Sequence, residues 1–242
     1  MAEGAVRSLA PDGRVVMISG ASRGIGLAIA RRLHDDGYRL SLGMRRPNDV
    51  KGFDPARTLM HAFDATRPET AAPWLEATVA RFGRLDVLIN NAGILRALDL
   101  RSGDESVLDE MWAVNVKAPF RLIRLALPHL EKAGNGRIVN IASTDGKRYR
   151  EGVSVAYTMT KHAVMALSHA AKFAGWEHGV RVTALCPGAV DTELVASVPG
   201  VTPSANRIAP ETVADTVSFL LSLPNNASVA ELVMNTRLES WI

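Results

Sequence analysis

The sequence predicts an α/β domain built on a doubly wound parallel sheet with helices on both faces. Three observations carry this. Short apolar, β-branched runs alternate with amphipathic stretches along the 242 residues. A glycine-rich turn, Ser19-Gly-Ala-Ser-Arg-Gly-Ile-Gly26, joins the first run to the first helical stretch. No repeat or interdomain linker interrupts the alternation, so residues 1–242 read as one domain. Strand, helix, strand at this cadence gives right-handed crossovers and therefore parallel neighbours.

In chain order, strands are expected at 14–19, 39–43, 59–63, 86–90, 137–142, 181–186 and 231–235, with helices filling the gaps. Gly37 and Gly179 stand where helices should stop, because glycine adopts the left-handed conformation that ends a helix. Gly134-Asn-Gly136 turns into the fifth strand. Pro210 opens the last long helix, its fixed φ suiting a first helical position. The irregular stretch 192–209 holds Pro199, Gly200 and Pro203, and a loop of that length in a compact domain is expected to be a substrate lid.

Composition narrows the class. With 47% hydrophobic and 22% charged residues the chain can bury a full core. A net charge of +3 with scattered basic residues gives no nucleic-acid stripe. The single cysteine, Cys186, allows no internal disulfide and suits a reducing cytoplasm, and no Cys/His cluster has metal-site spacing. No run reaches the roughly 18 apolar residues of a membrane span, so a soluble protein is expected.

Two motifs carry chemistry. Gly20, Gly24 and Gly26 let the backbone turn tightly, approach a pyrophosphate and aim free N–H groups and the helix dipole at it. Tyr157 and Lys161, four residues apart, share one helix face, where an ammonium beside a phenol favours the ionised form. A tyrosine that ordinarily titrates at about 10 could then act as an acid or base near neutral pH. At the end of the second strand Met44 stands where an acid would bind ribose hydroxyls, and Arg45 follows it. With Arg23 in the glycine turn, two guanidinium groups suit a 2′-phosphate. The expected cofactor is therefore NADP(H) rather than NAD(H).

The order Ser19-Gly20-x-x-x-Gly24-x-Gly26, Asn90-Asn-Ala-Gly93, Asn115, Ser143, Tyr157/Lys161 and Pro187-Gly188 resembles the short-chain dehydrogenase/reductase family in its single-domain branch, with Ser19 in place of a threonine. The resemblance implies a Rossmann-like fold and a catalytic set of Asn115, Ser143, Tyr157 and Lys161. In that set Ser143 orients a carbonyl, Tyr157 exchanges the proton, and Lys161 tunes the phenol and holds the nicotinamide ribose. It implies cofactor contacts at Gly20, Ser22, Arg23, Gly24, Ile25, Gly26, Arg45, Asp64, Asn91, Ala92, Gly93, Tyr157, Lys161, Pro187, Gly188, Val190 and Thr192. It also implies a homodimer or homotetramer acting on a small carbonyl or alcohol compound.

Two further readings come from the residues themselves. Pro119 cannot donate to the Asn115 carbonyl four residues back, which leaves that carbonyl to a water that, in the family, links the lysine to solvent. Lys147, Arg148 and Arg150 form a cationic stretch after Ser143, read either as a site for an anionic substrate, helped by Arg96, or as a solvated or subunit-facing loop, the second being favoured. The rival from another class is a catalytically idle dinucleotide-binding regulator or scaffold, against which Ser143, Tyr157 and Lys161 argue.

Overall fold

The protein is seen in a computed structural model that describes residues 8–196 and 202–236. The apolar runs form seven strands: Val15–Ser19 (β1), Arg39–Met44 (β2), Thr58–Ala62 (β3), Val87–Asn90 (β4), Arg137–Ile141 (β5), Arg181–Pro187 (β6) and Glu231–Met234 (β7). All pair in parallel, in the order β3-β2-β1-β4-β5-β6-β7. The winding reverses between β1 and β4, and ligands of such sheets bind in the crevice beyond the carboxyl ends of the strands there. Expected and observed strand limits differ by one residue at most at any end.

The helices are Gly24–Asp35 (α1), Ala71–Phe82 (α2), Glu105–Trp112 (α3), Ala118–Lys132 (α4), Val155–Gly175 (α5), Glu193–Ala196 (α6) and Pro210–Ser222 (α7). The two-residue period of a strand sends successive side chains to opposite faces. Val16 and Ile18 of β1 thus pack with Ile29 and Leu33 of α1 and Val213 and Val217 of α7. Val15 and Met17 pack with Trp74 of α2 and Leu122 and Leu130 of α4. Each such fully buried side chain contributes about 1.5–3 kcal/mol, so both helix layers are held by the strands between them.

Packing also fixes where the sheet ends point. The Trp74 ring lies so close to Gly43 that a Cβ there would stand 2.5 Å from it. The Trp74 indole N–H donates to Ser41 Oγ at 2.9 Å, and Ser41 meets Thr78 at 2.7 Å. The end of β2, and with it Arg45, is set by this contact.

The expected lid carries structure of its own at both ends. It begins with the single turn of α6, and Ile208 bridges Val190 in parallel. Residues 197–201 of it, Pro199 and Gly200 among them, lie outside the described residues. No helix of the described residues is long and apolar enough to cross a membrane.

Candidate active site

The glycine turn stands at the C-terminal end of β1. Gly20 has φ +69°, a conformation side chains resist, and a Cβ on it would lie 2.9 Å from Ala92 Cα. A Cβ on Gly26 would lie 2.3 Å from the Gly20 carbonyl. The cradle therefore admits only glycine at both places, as a backbone that must approach a pyrophosphate requires. Ser19 does what a threonine would do there, since its Oγ accepts the N–H groups of Asn91 and Ala92, both at 3.1 Å. The Asn91 amide in turn donates to the Ser19 and Gly20 carbonyls, each at 3.0 Å, which ties Asn90-Asn-Ala-Gly93 to the turn.

Around the cradle stand several of the residues expected to contact a cofactor. Arg23, extended just before α1, makes no side-chain cap, so it leaves the helix's leading N–H groups to a ligand. Its guanidinium is ion-paired with Glu193 of α6, a partner that no local sequence signal announces. Arg45 extends from the end of β2, exposed, while Met44 is buried. Asp64 follows β3, and its Oδ1 caps a turn by accepting the N–H and hydroxyl of Thr66. Burial works against its charge, but Thr66 and the nearby Arg45 and Arg67 hold the carboxyl below its ordinary range. Gly188 donates its N–H to the Met234 carbonyl at 2.8 Å, and the Thr192 hydroxyl donates to the Val190 carbonyl at 3.4 Å. A Cβ at Gly24 would meet Thr192 at 3.2 Å, so lid and turn are already in contact.

The groups expected to react come from the end of β5 and from α5. Ser143 caps the short turn Thr144–Gly146: its Oγ accepts the Asp145 N–H at 3.0 Å, so its own proton is free to be donated. Ser154 caps α5 by accepting the Tyr157 N–H at 3.3 Å. Gly146 lets the serine turn lie against α5, for a Cβ there would be 2.8 Å from the Lys161 carbonyl. The Ser143 hydroxyl is near enough to the Tyr157 phenol to favour its ionised form, and Lys161 Nζ lies 5.5 Å from the tyrosine ring centroid.

Electrostatics correct one expectation. Lys161 donates to the Ile141 carbonyl at 2.8 Å, and its ammonium makes no hydrogen bond to the phenol. Burial drives the Tyr157 phenol above its ordinary value, the Asp145 charge adds to this, and only the Ser143 hydroxyl opposes it. Burial also pushes the Lys161 ammonium down to about 8, against the opposing influence of Cys186 and Asp145. The helical spacing puts the ammonium over the tyrosine ring, but lost hydration is the largest influence on both groups within the protein itself.

Asn115 sits where the chain departs from α-helix. Pro119 lacks the N–H that an α-helix needs, and the backbone answers with a π-turn over Ala113–Lys117, Ala118 donating to the Ala113 carbonyl. The Asn115 side chain accepts the Ile94 N–H and donates to the Ile94 carbonyl, both at 2.9 Å, and donates to Thr160 Oγ1 at 3.1 Å. It clamps the end of the Asn90-Asn-Ala-Gly93 segment to the helix turn that carries Lys161. Behind Lys161 a cavity of about 10 Å³ is lined by Ser19, Asn90, Asn115, Pro119, Asn140 and Lys161. That is room for one water, and Asn90 Oδ1, buried beside it, has no hydrogen-bond partner in the protein.

The cationic stretch is internally paired. Lys147 is bound to Glu231, which His169 also holds, Arg148 and Arg150 bind Asp145, and Arg96 lies 3.5 Å from Glu110. Asp145 and Thr160 are the residues that sequence reasoning passed over, although an acid set two residues after Ser143 among three bases was the available signal. Among the described residues no group of three or more His, Cys, Asp or Glu is arranged to hold a metal.

A doubly wound parallel sheet with a glycine phosphate cradle at its switch point, and a serine, tyrosine and lysine gathered beside it, defines a dinucleotide-dependent oxidoreductase. The family model for short chain dehydrogenase matches residues 14–200, and the chain belongs to that family. It is 42% identical to an agropine synthesis reductase of Rhizobium rhizogenes over 219 residues, 89% of this chain and 50% of that protein. The chain thus spans about half the length of that relative. D-beta-hydroxybutyrate dehydrogenase of Rhizobium meliloti is 35% identical over 190 residues, 75% of this chain and 73% of that one. Among solved structures, an alcohol dehydrogenase from Thermococcus sibiricus, complexed with 5-hydroxy-NADP, matches with a TM-score of 0.83 at 32% identity, covering 93% of this chain and 99% of that one.

Proposed function

We propose that the protein is an NADP(H)-dependent oxidoreductase that interconverts a small carbonyl compound and its alcohol, with Tyr157 as the acid and base. The observation that carries this is the meeting of Ser143, Tyr157 and Lys161 beside the cradle, with the serine's proton free to donate. The bound dinucleotide would supply a hydride to the carbonyl carbon or take one from the alcohol carbon. Ser143 would donate to the carbonyl oxygen and Tyr157 would hand it the proton as negative charge develops. Lys161, held at about 8, would help return a proton to the phenol and would itself be reprotonated by way of the small cavity behind it. Asn115 would keep that helix turn in register.

The choice of NADP(H) rests on Arg45 standing exposed at the end of β2, on buried Met44 where an acid would be needed for NAD, and on Arg23 in the turn. The relative from Thermococcus sibiricus, complexed with 5-hydroxy-NADP, supports it. We extend the reading to a homodimer or homotetramer in a reducing cytoplasm. Phe120 on α4 and Met159 and Phe173 on α5 are exposed apolar side chains that a second copy would cover.

Tyr157→Phe tests the reading. Turnover with NADPH across a panel of ketones and aldehydes is expected to fall by roughly 10²–10⁴-fold, while NADPH binding by fluorescence titration stays within about threefold. Retained turnover would remove Tyr157 from the mechanism.

A further inference from the structure

A chain of buried polar side chains leads from α5 across two strands to the cavity behind Lys161, and neither the resemblance nor the proposed mechanism gives it a role. Asn140 of β5 is fully buried and stands beside Asn90 of β4 in the parallel register. Asn90 Nδ2 donates to Asn140 Oδ1 at 2.8 Å, and Asn140 Nδ2 donates to Ser168 Oγ at 2.8 Å. Ser168 Oγ donates in turn to the Val164 carbonyl at 2.7 Å. Amides are costly in a core unless hydrogen-bonded, and these two sit in strands that are otherwise apolar at their centres.

The direction of the chain is set from its helix end. A serine hydroxyl has one proton, and Ser168 gives it to Val164, so toward Asn140 it can only accept. The Asn140 amide must then turn its nitrogen to Ser168 and its oxygen to Asn90, and Asn90 must answer with its nitrogen. What remains of Asn90 is Oδ1, a buried acceptor without a partner in the protein, on a residue only 7% exposed. Asn90 and Lys161 line the same cavity of about 10 Å³. An ammonium has three N–H donors, and Lys161 engages one of them with the Ile141 carbonyl. Space for one water, lined by an unpaired acceptor and a charged donor, is what a buried water requires. Lys161 and Ser168 lie two turns apart on one face of α5, so the same helix carries the charge and the hydroxyl that orients the chain.

We propose that Asn90, oriented by Asn140 and Ser168, holds a water against Lys161, and that this water reprotonates the lysine after each reduction. The inference rests on the function proposed above and names the residues that supply its proton. As the phenol protonates the new alkoxide, the Lys161 ammonium passes a proton toward the phenol. The water then gives a proton to the neutral amine and takes one from bulk solvent, so the cavity ends with the charge it began with. Asn90, Asn140 and Ser168 are positioning residues that act through the water and Lys161.

Two measurements test it. In crystals of the NADP⁺ complex that diffract well enough to show ordered water, one water is expected within hydrogen-bond distance of both Asn90 Oδ1 and Lys161 Nζ. A cavity without a water bound to both overturns the proposal. The second measurement is kinetic and uses NADPH with the ketone or aldehyde of the panel that is reduced fastest. Asn140→Leu, which removes the amide that orients Asn90, should lower kcat roughly tenfold and raise the solvent deuterium isotope effect on kcat, while NADPH binding stays within about threefold. Loss of a merely structural contact would leave the isotope effect at the parent's value, and that result overturns the proton role. Should Asn140→Leu fail to fold by thermal melting, Ser168→Ala decides by the same criterion, since it frees the Asn140 amide to turn. Turnover retained in Tyr157→Phe would refute the function proposed above and the proton role with it, while the crystals still decide the water site.

Discussion

Lys161 shows how burial governs a single residue's chemistry. Its ammonium titrates at about 8 in the folded protein against an ordinary 10.5. Between those values the unfolded chain binds more protons, so this residue makes stability rise with pH through that window. Below it the penalty is present in full, and above it the penalty is gone. Lys161→Met should therefore be more stable than the parent at neutral pH by about 1–2 kcal/mol, after the cost of leaving the Ile141 carbonyl unpaired. The gap should close as pH rises toward 10.5, and chemical denaturation at either end of the window checks it. A constant gap would mean that burial is not what depresses the ammonium. The identities of Tyr157, Lys161 and Ser143 as a set were legible in the sequence. Their protonation was not, because hydration is lost only when helices and strands close around them.

At the scale of the element, the proposed choice of NADP(H) falls to the loop after β2 and the turn before α1. Arg23 and Arg45 are the two guanidinium groups proposed for a 2′-phosphate, yet Arg23 is already ion-paired with Glu193. Arg45 should then carry more of the selectivity. Arg45→Ala is expected to weaken NADPH binding by roughly 10- to 100-fold and to leave NADH within about threefold, read by paired fluorescence titrations. Equal loss for both nucleotides would place Arg45 outside the phosphate site. The glycines of the turn were legible as a pattern, and so was the proline at 119. That the proline would produce a π-turn, and that the Asn115 side chain would clamp Ile94 and Thr160, was not, since those partners lie 21 and 45 residues away.

For the whole molecule, the sheet order sets β1 beside β4, so that the glycine turn and the Asn90-Asn-Ala-Gly93 segment meet at the carboxyl ends where the winding reverses. The same packing leaves Phe173 78% exposed and Phe120 47% exposed on the helices that flank the site. Light scattering should report a dimer or tetramer, and a monomer would refute the oligomer reading. The sequence by itself determined the alternation of strand and helix, the glycine turn and the order of the candidate site residues, because each depends on spacing within one element or across one turn. Only the tertiary structure decided that Ser19 serves Asn91 and Ala92, that Arg148 and Arg150 spend their charge on Asp145, and that Lys161 hydrogen-bonds to Ile141 and not to the phenol. Which donor meets which acceptor, and how much water either keeps, is set by packing between segments, and no local pattern encodes it.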